Sequence, residues 1–120
     1  MPITWNFCFS TQTQILKRGL ELLKVGGKIV YSTCSLNPIE NEAVVHRVLK
    51  ESQGSVQLLD INLPYLRHSP GIHHWVPCYG KDITPYNTPE EVPEKLKTTV
   101  HEHLFPPSEA EASGFHLEKW

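Results

Sequence analysis

Gly26-Gly-Lys-Ile-Val-Tyr-Ser-Thr-Cys-Ser-Leu-Asn-Pro-Ile-Glu-Asn-Glu-Ala-Val-Val45 reads as a strand, a loop holding one cysteine, and the start of a helix. Lys28 to Tyr31 is a short β-branched and aromatic run opened by a glycine pair, the pattern of a buried strand. Asn37 supplies an N-cap and Pro38 suits the first helical position. Glu40, three residues after the cap, completes a capping box. Cys34 therefore falls at the carboxyl end of a predicted strand, just ahead of a helix N-terminus. Open α/β sheets place ligands and chemistry there.

A free thiol titrates near ~8.5, and the positive end of a helix favours the thiolate. Thr33 and Ser35 flank the sulfur with hydroxyls able to hydrogen-bond it. A thiolate so held is a competent carbon nucleophile. The competing reading is a buried, inert thiol, and position alone favours that one.

The run from Gln14 through Gly26-Gly27 and Thr33-Cys34-Ser35 to Val45 resembles a segment of the Sun family of RNA cytosine-5 methyltransferases. In that family a helix ending in a glycine pair leads into a strand, and Thr-Cys-Ser holds the catalytic cysteine. The resemblance covers residues 14–49. It continues more loosely to Phe105-Pro106-Pro107, which is similar to an element of the eukaryotic transfer-RNA branch.

On this chain the resemblance implies Cys34 as nucleophile, with Thr33, Ser35, Asn41 and Glu42 supporting the catalytic loop. For Asn41 and Glu42, residues complementing a helix dipole are an equal reading. The implied fold is α/β, part of a Rossmann-like class I methyltransferase domain. Its helix–strand–helix–strand core would span 14–61, followed by an irregular, proline-rich covering segment with a short helix over 62–120.

The resemblance further implies S-adenosylmethionine as cofactor and RNA as partner, with transfer RNA favoured over ribosomal RNA. It implies nuclear or nucleolar residence, with the cytoplasm as the alternative. The implied route is covalent. A thiolate adds to cytosine C6, C5 takes the methyl group, and loss of the C5 proton expels the sulfur. The base must leave its stack for this.

Other parts of that machine are expected outside these residues. They are the Gly-rich cofactor turn, the acid for the ribose hydroxyls, the Asp-x-Pro-Cys motif, and the strands on either side of Ile29. No cofactor-binding residue is assigned here, and the sheet is expected to be incomplete, with unpaired edges. Alone, the chain is expected to be marginally folded and inactive. The alternative is a non-catalytic remnant that binds RNA or a protein.

Composition bounds these readings. The 120 residues allow one small domain. Ten prolines, most of them after residue 60, predict little regular structure in the second half. A formal net charge of -2 does not describe a free-standing RNA binder, which shows a basic face. Three irregularly spaced cysteines point to a reducing compartment with no disulfide-linked partner. No run is long and apolar enough for a membrane span, and Met1 to Ser10 lacks a secretory pattern. A soluble, intracellular protein is the expectation.

Residues 1–10 read as an apolar edge segment, with Cys8 a packed or incidental thiol. Thr11 and Gln14 form a capping-box pattern for a helix from Thr13 to Lys24. Its Lys17 and Arg18 either touch phosphate or lie on a solvated face, the commoner case. A second helix is predicted from Pro38 to Gln53, burying Ala43, Val44, Val48 and Leu49 and stopping at Gly54. A second strand follows from Val56 to Ile61, giving a right-handed crossover.

Trp75, Tyr79 and Tyr86 either pin the Pro-rich segment to the body, the favoured reading, or stack on bases. Glu94 to Leu104 reads as a short helix, and 108–120 as the start of another. Pro77-Cys78 imitates the family's second Pro-Cys. It lies downstream of Thr-Cys-Ser and lacks the aspartate, so no role is carried over to Cys78. His73, His74 and Cys78, or His101 and His103, lack the spacing of a metal site.

Overall fold

A computed structural model describes residues 5–115. Two helices form the body: α1, Trp5–Glu21, and α2, Glu42–Glu51, packed against each other. A two-residue hairpin follows, β1, Cys78–Tyr79, and β2, Thr84–Pro85. Three 3-10 turns come next, at Pro89–Glu91, Glu94–Leu96 and Glu102–Leu104, and then α3, Glu109–Gly114. This mix of helix and a small antiparallel sheet is consistent with part of an α/β domain.

Amphipathic spacing builds the core. Phe9, Leu16 and the half-buried Leu20 line one stripe of α1 and meet Ala43, Val44 and Val48 of α2. Ile39, Trp75 and Leu104 close the cluster. Trp75 is buried, and its indole N–H donates to the Leu104 carbonyl at 2.8 Å. This pins the proline-rich segment to the helices and removes Trp75 from any role in base stacking. Tyr86, Val92, Val100 and Phe105 form a second, smaller cluster with Tyr79 against it. Tyr86 and Tyr79 thus also pack inward.

Neither predicted strand forms. Lys28–Tyr31 and Val56–Ile61 make no sheet, and among the described residues the only ladder is β1–β2, with Cys78 opposite Pro85 and Tyr79 opposite Thr84. The reason is pairing. A strand exists through its neighbours' hydrogen bonds, and these two segments find no ladder partner here. Several of their apolar side chains stay in solvent: Val30 is 80% exposed and Ile61 58%. The right-handed crossover therefore does not form either. The hairpin was read as irregular chain; it turns through Gly80, at φ +90, with the Ile83 N–H donating to the Gly80 carbonyl at 3.2 Å.

The helix boundaries also move. α1 begins at Trp5 rather than Thr13, so the edge-segment reading fails for residues 5–10, and residues 1–4 lie outside the described ones. Buried Phe9 explains the extension, because it anchors the extra turns to the core. The Thr11–Gln14 capping box is not used, since both residues are interior to α1. α1 ends at Glu21, and the chain turns through Gly26, at φ +76. The predicted helix over Glu94–Leu104 is two separate 3-10 turns, with Val100 buried between them. The start expected near residue 108 is α3, capped by a true capping box of Ser108 and Glu111. The part of that prediction beyond residue 115 lies outside the described residues.

Lys50 pairs with Glu111 at 2.7 Å, joining α3 to α2. Beneath this pair His46 is buried, its Nε2 4.0 Å from Glu111. Burial pushes the His46 imidazole below its ordinary range, Lys50 adds to this, and Glu111 opposes it. Burial, then Arg47, lowers His101 likewise, against Glu102. Both resist protonation in the folded chain, whereas the unfolded chain takes up protons near the ordinary value of 6.5. Their contribution is present above about pH 6.5 and is lost as pH falls below it. Thermal melts should show Tm falling by a few degrees from pH 7.5 to pH 5, and less in His46→Gln. A flat profile would refute the assignment.

Candidate active site

The loop between Tyr31 and Glu42 is organised by its own hydrogen bonds, and Cys34 is exposed at its centre. On one side of the cysteine, the Thr33 hydroxyl donates to Asn41 Oδ1. On the other, the Ser35 hydroxyl donates to Glu40 Oε2 at 2.7 Å, and the Ser35 carbonyl accepts from Asn41 Nδ2 at 2.9 Å. Two further backbone bonds tighten the turn: Ser35 N–H to Thr33 Oγ1 at 3.1 Å and Asn37 N–H to Ser35 Oγ at 3.0 Å. Both neighbours of Cys34 are thereby fixed while its own side chain faces water.

This arrangement corrects one expectation. The Thr33 and Ser35 hydroxyls do not donate to the sulfur, because their protons go to Asn41 and Glu40. The capping box at Asn37 does not form either. Asn37 Oδ1 accepts from the Ile39 N–H at 3.0 Å, but the Glu40 carboxylate is turned to Ser35. Regular helix starts only at Glu42, four residues after Pro38. Asn41, at the nominal cap, makes no capping bond because its amide is spent on the loop. The helix terminus is thus farther from Cys34 than the sequence predicts.

Asn41 bridges both flanks of Cys34, while Glu42 faces elsewhere, its Oε1 accepting from the Ile72 N–H at 3.3 Å. The residue overlooked is Glu40. Its carboxylate holds Ser35 and accepts from Gln12 of α1 at 3.5 Å, and its carbonyl accepts from the Tyr31 hydroxyl at 2.6 Å. Its spacing from Asn37 points instead to capping. Burial, then the Glu40 charge, pushes the Tyr31 phenol up to about 12, so it stays a donor.

Cys8 is half-buried, with its thiol pushed up by burial and by Glu40, which disfavours the thiolate. Cys78 is half-buried in the hairpin, its sulfur 3.5 Å from the Val76 carbonyl. Among the described residues no group of three or more His, Cys, Asp or Glu side chains is placed to hold a metal ion. No helix among them is long and apolar enough to cross a membrane.

Glu40→Ala should cost roughly 1 kcal/mol, the ordinary worth of such a part-buried hydrogen bond. It should also speed amide hydrogen exchange at Ser35 and Asn37. Unchanged exchange there would show that the loop does not depend on Glu40.

A family model, 16S rRNA methyltransferase RsmB/F, matches residues 2–117. The tRNA (cytosine(34)-C(5))-methyltransferase of Drosophila melanogaster is 43% identical over 98% of this chain and 17% of its own length. The multisite-specific tRNA:(cytosine-C(5))-methyltransferase trm4b of Schizosaccharomyces pombe is 45% identical over 90% of the chain and 16% of its own. A probable ribosomal RNA small subunit methyltransferase B of Synechocystis is 44% identical, but over only 43% of the chain. The chain thus spans about a sixth of the length of the transfer-RNA relatives it matches. No solved structure matches it. A match across nearly every residue, with the cysteine loop inside it, means that the chain belongs to the 16S rRNA methyltransferase RsmB/F family of RNA cytosine-5 methyltransferases.

Proposed function

We propose that this chain is the nucleophile-bearing part of a transfer-RNA cytosine-5 methyltransferase, within a Rossmann-like domain, and that Cys34 is the nucleophile. The observation that carries the reading is the exposed thiol of Cys34 held between two hydrogen-bonded neighbours in a chain of this family. Transfer RNA is preferred because the relatives named for it match 90–98% of the chain, against 43% for the ribosomal relative from Synechocystis. Nuclear or nucleolar residence is proposed with that branch.

The step assigned to these residues is addition. The Cys34 thiolate forms a bond from Sγ to cytosine C6, and the C5=C6 π pair moves toward C5, which becomes nucleophilic. Once C5 has bonded the methyl group, loss of the C5 proton re-forms the double bond and breaks the Sγ–C6 bond, returning the thiolate. Splitting one substitution into addition and elimination lowers both barriers. Thr33, Ser35 and Asn41 hold the cysteine's backbone through this cycle, with Glu40 tying the loop to α1.

S-adenosylmethionine, the donor implied by the family, does not find a seat in these residues. Gly26 turns the chain out of α1, and the next helix begins only at Glu42, so no glycine turn feeds a helix N-terminus. The isolated chain is accordingly expected to transfer no methyl group.

The test is a graft. Residues 5–115 replace the matching segment of the fission-yeast relative, which is 45% identical to this chain. The chimera should methylate transfer RNA at cytosine C5. A folded, cofactor-binding chimera without that activity would overturn the proposal.

A further inference from the structure

An open cleft of about 290 Å³ lies between α1, α2 and the 3-10 turn at Glu102–Leu104, and Cys34 does not line it. Its walls carry Gln14 and Lys17 of α1, Arg47 and Glu51 of α2, and the rings of His101 and His103. Glu51 faces two cations. Its Oε2 is 2.7 Å from Lys17 Nζ, and its Oε1 accepts from Arg47 Nε. One carboxylate thus neutralises half of the local positive charge.

An ammonium has three donors and a guanidinium five, so this pairing leaves both groups with hydrogen-bonding capacity. Arg47 uses only its Nε on Glu51, which keeps the two-pronged end of the fork for another anion. Beside them the rings pack in series: Phe9 to His101 at 5.5 Å, and His101 to His103 at 5.5 Å, edge-on. Glu102, 3.6 Å from His103 Nε2, is the other acid nearby. A cationic pair next to aromatic rings is the combination that holds single-stranded nucleic acid, with phosphate on the charges and the attached nucleoside along the rings.

The cleft and the cysteine loop share α1. Gln12, which reaches Glu40, directly precedes the cleft residues Thr13 and Gln14. A strand lying in the cleft would be held by the same helix that braces the loop.

We propose that this cleft binds a backbone phosphate of an RNA strand through Arg47 and Lys17, with Glu51 as the internal counter-ion that the phosphate displaces. The choice of RNA as the anion rests on the proposed function; the cation pair and its half-neutralisation do not. An internal counter-ion makes an unusual prediction, because removing it should improve binding.

Fluorescence anisotropy of a labelled single-stranded RNA of about twelve nucleotides, titrated with the full 120-residue chain at low salt, tests this. The double variant Lys17→Gln, Arg47→Gln should bind about tenfold more weakly, and its log K against log salt should flatten by roughly one unit per cation lost. Glu51→Gln should bind about threefold or more tightly, since both cations are then released to RNA. Lys97→Gln, which removes a cation paired with Glu94 away from the cleft, should stay near wild type. Circular dichroism confirms that each variant keeps its helices.

Two results would overturn the proposal: weaker or unchanged binding in a folded Glu51→Gln, or a loss in Lys97→Gln as large as in the double variant. An active chimera whose cleft variants bind and methylate normally would reject the cleft and leave the nucleophile standing. An inactive chimera with the predicted order of RNA affinities would do the reverse.

Discussion

Cys34→Ala in the chimera is expected to remove methyl transfer to transfer RNA by at least ~10³-fold, while leaving the fold and RNA affinity intact. The loss is this large because the cysteine is asked to do chemistry that no neighbour can take over. Cytosine C5 becomes nucleophilic only while sulfur is bonded to C6. Thr33 and Ser35 are the nearest hydroxyls in sequence, and both are engaged, to Asn41 and Glu40. Cys8 is half-buried, and burial and Glu40 push its thiol up, so it is a poor source of a replacement thiolate. Because Cys34 is exposed and packs nothing in the core, alanine creates no cavity there. Single-turnover transfer from a labelled donor, with melting curves alongside, separates chemistry from folding. Activity within tenfold of the parent chimera would remove Cys34 from the mechanism.

Trp75→Ala is expected to have the largest effect on stability, about 3–5 kcal/mol. Two losses add. The indole is the largest side chain of the main cluster, which joins residues of both helices. Its N–H also satisfies the Leu104 carbonyl, so alanine leaves a buried acceptor without its donor. Small domains have stabilities of about 5–15 kcal/mol, and a chain with two modest clusters stands at the low end. Urea melts of Trp75→Ala should therefore show a largely unfolded chain. Trp75→Phe keeps most of the volume and should lose only ~1–3 kcal/mol, the cost of the orphaned carbonyl. Equal losses in the two variants would mean that the hydrogen bond, and not packing, carries the effect.

What the sequence made readable follows from locality. The α2 face of Ala43, Val44, Val48 and Leu49 is a periodic pattern set by residues three and four apart, and it is buried as expected. Asn41 bonds both flanks of Cys34, and its place at the helix start left loop support and dipole complementation as equal readings. Trp75 was read as a pin, and it is one.

The misreadings are non-local. Lys28–Tyr31 and Val56–Ile61 have the composition of strands, but a strand needs partners that composition cannot supply. The start of α1 moved to Trp5 because Phe9 found a core formed by α2 and the distant Trp75 and Leu104. Glu40 was assigned by spacing to a capping box. Ser35 decides the competition, because its hydroxyl donates to the Glu40 carboxylate and accepts from the Asn37 N–H that the box would use.

The central claim is a bond between one sulfur and a pyrimidine carbon, and it is observable. Transfer RNA carrying 5-azacytidine has nitrogen at position 5, so no C5 proton can be lost and the thiolate cannot leave by the usual elimination. Incubated with the chimera and resolved by mass spectrometry after nuclease and protease digestion, it should leave the nucleotide covalently on the peptide containing Cys34, and none in Cys34→Ala. A covalent product that persists in Cys34→Ala, or that maps to Cys8 or Cys78, would contradict the account.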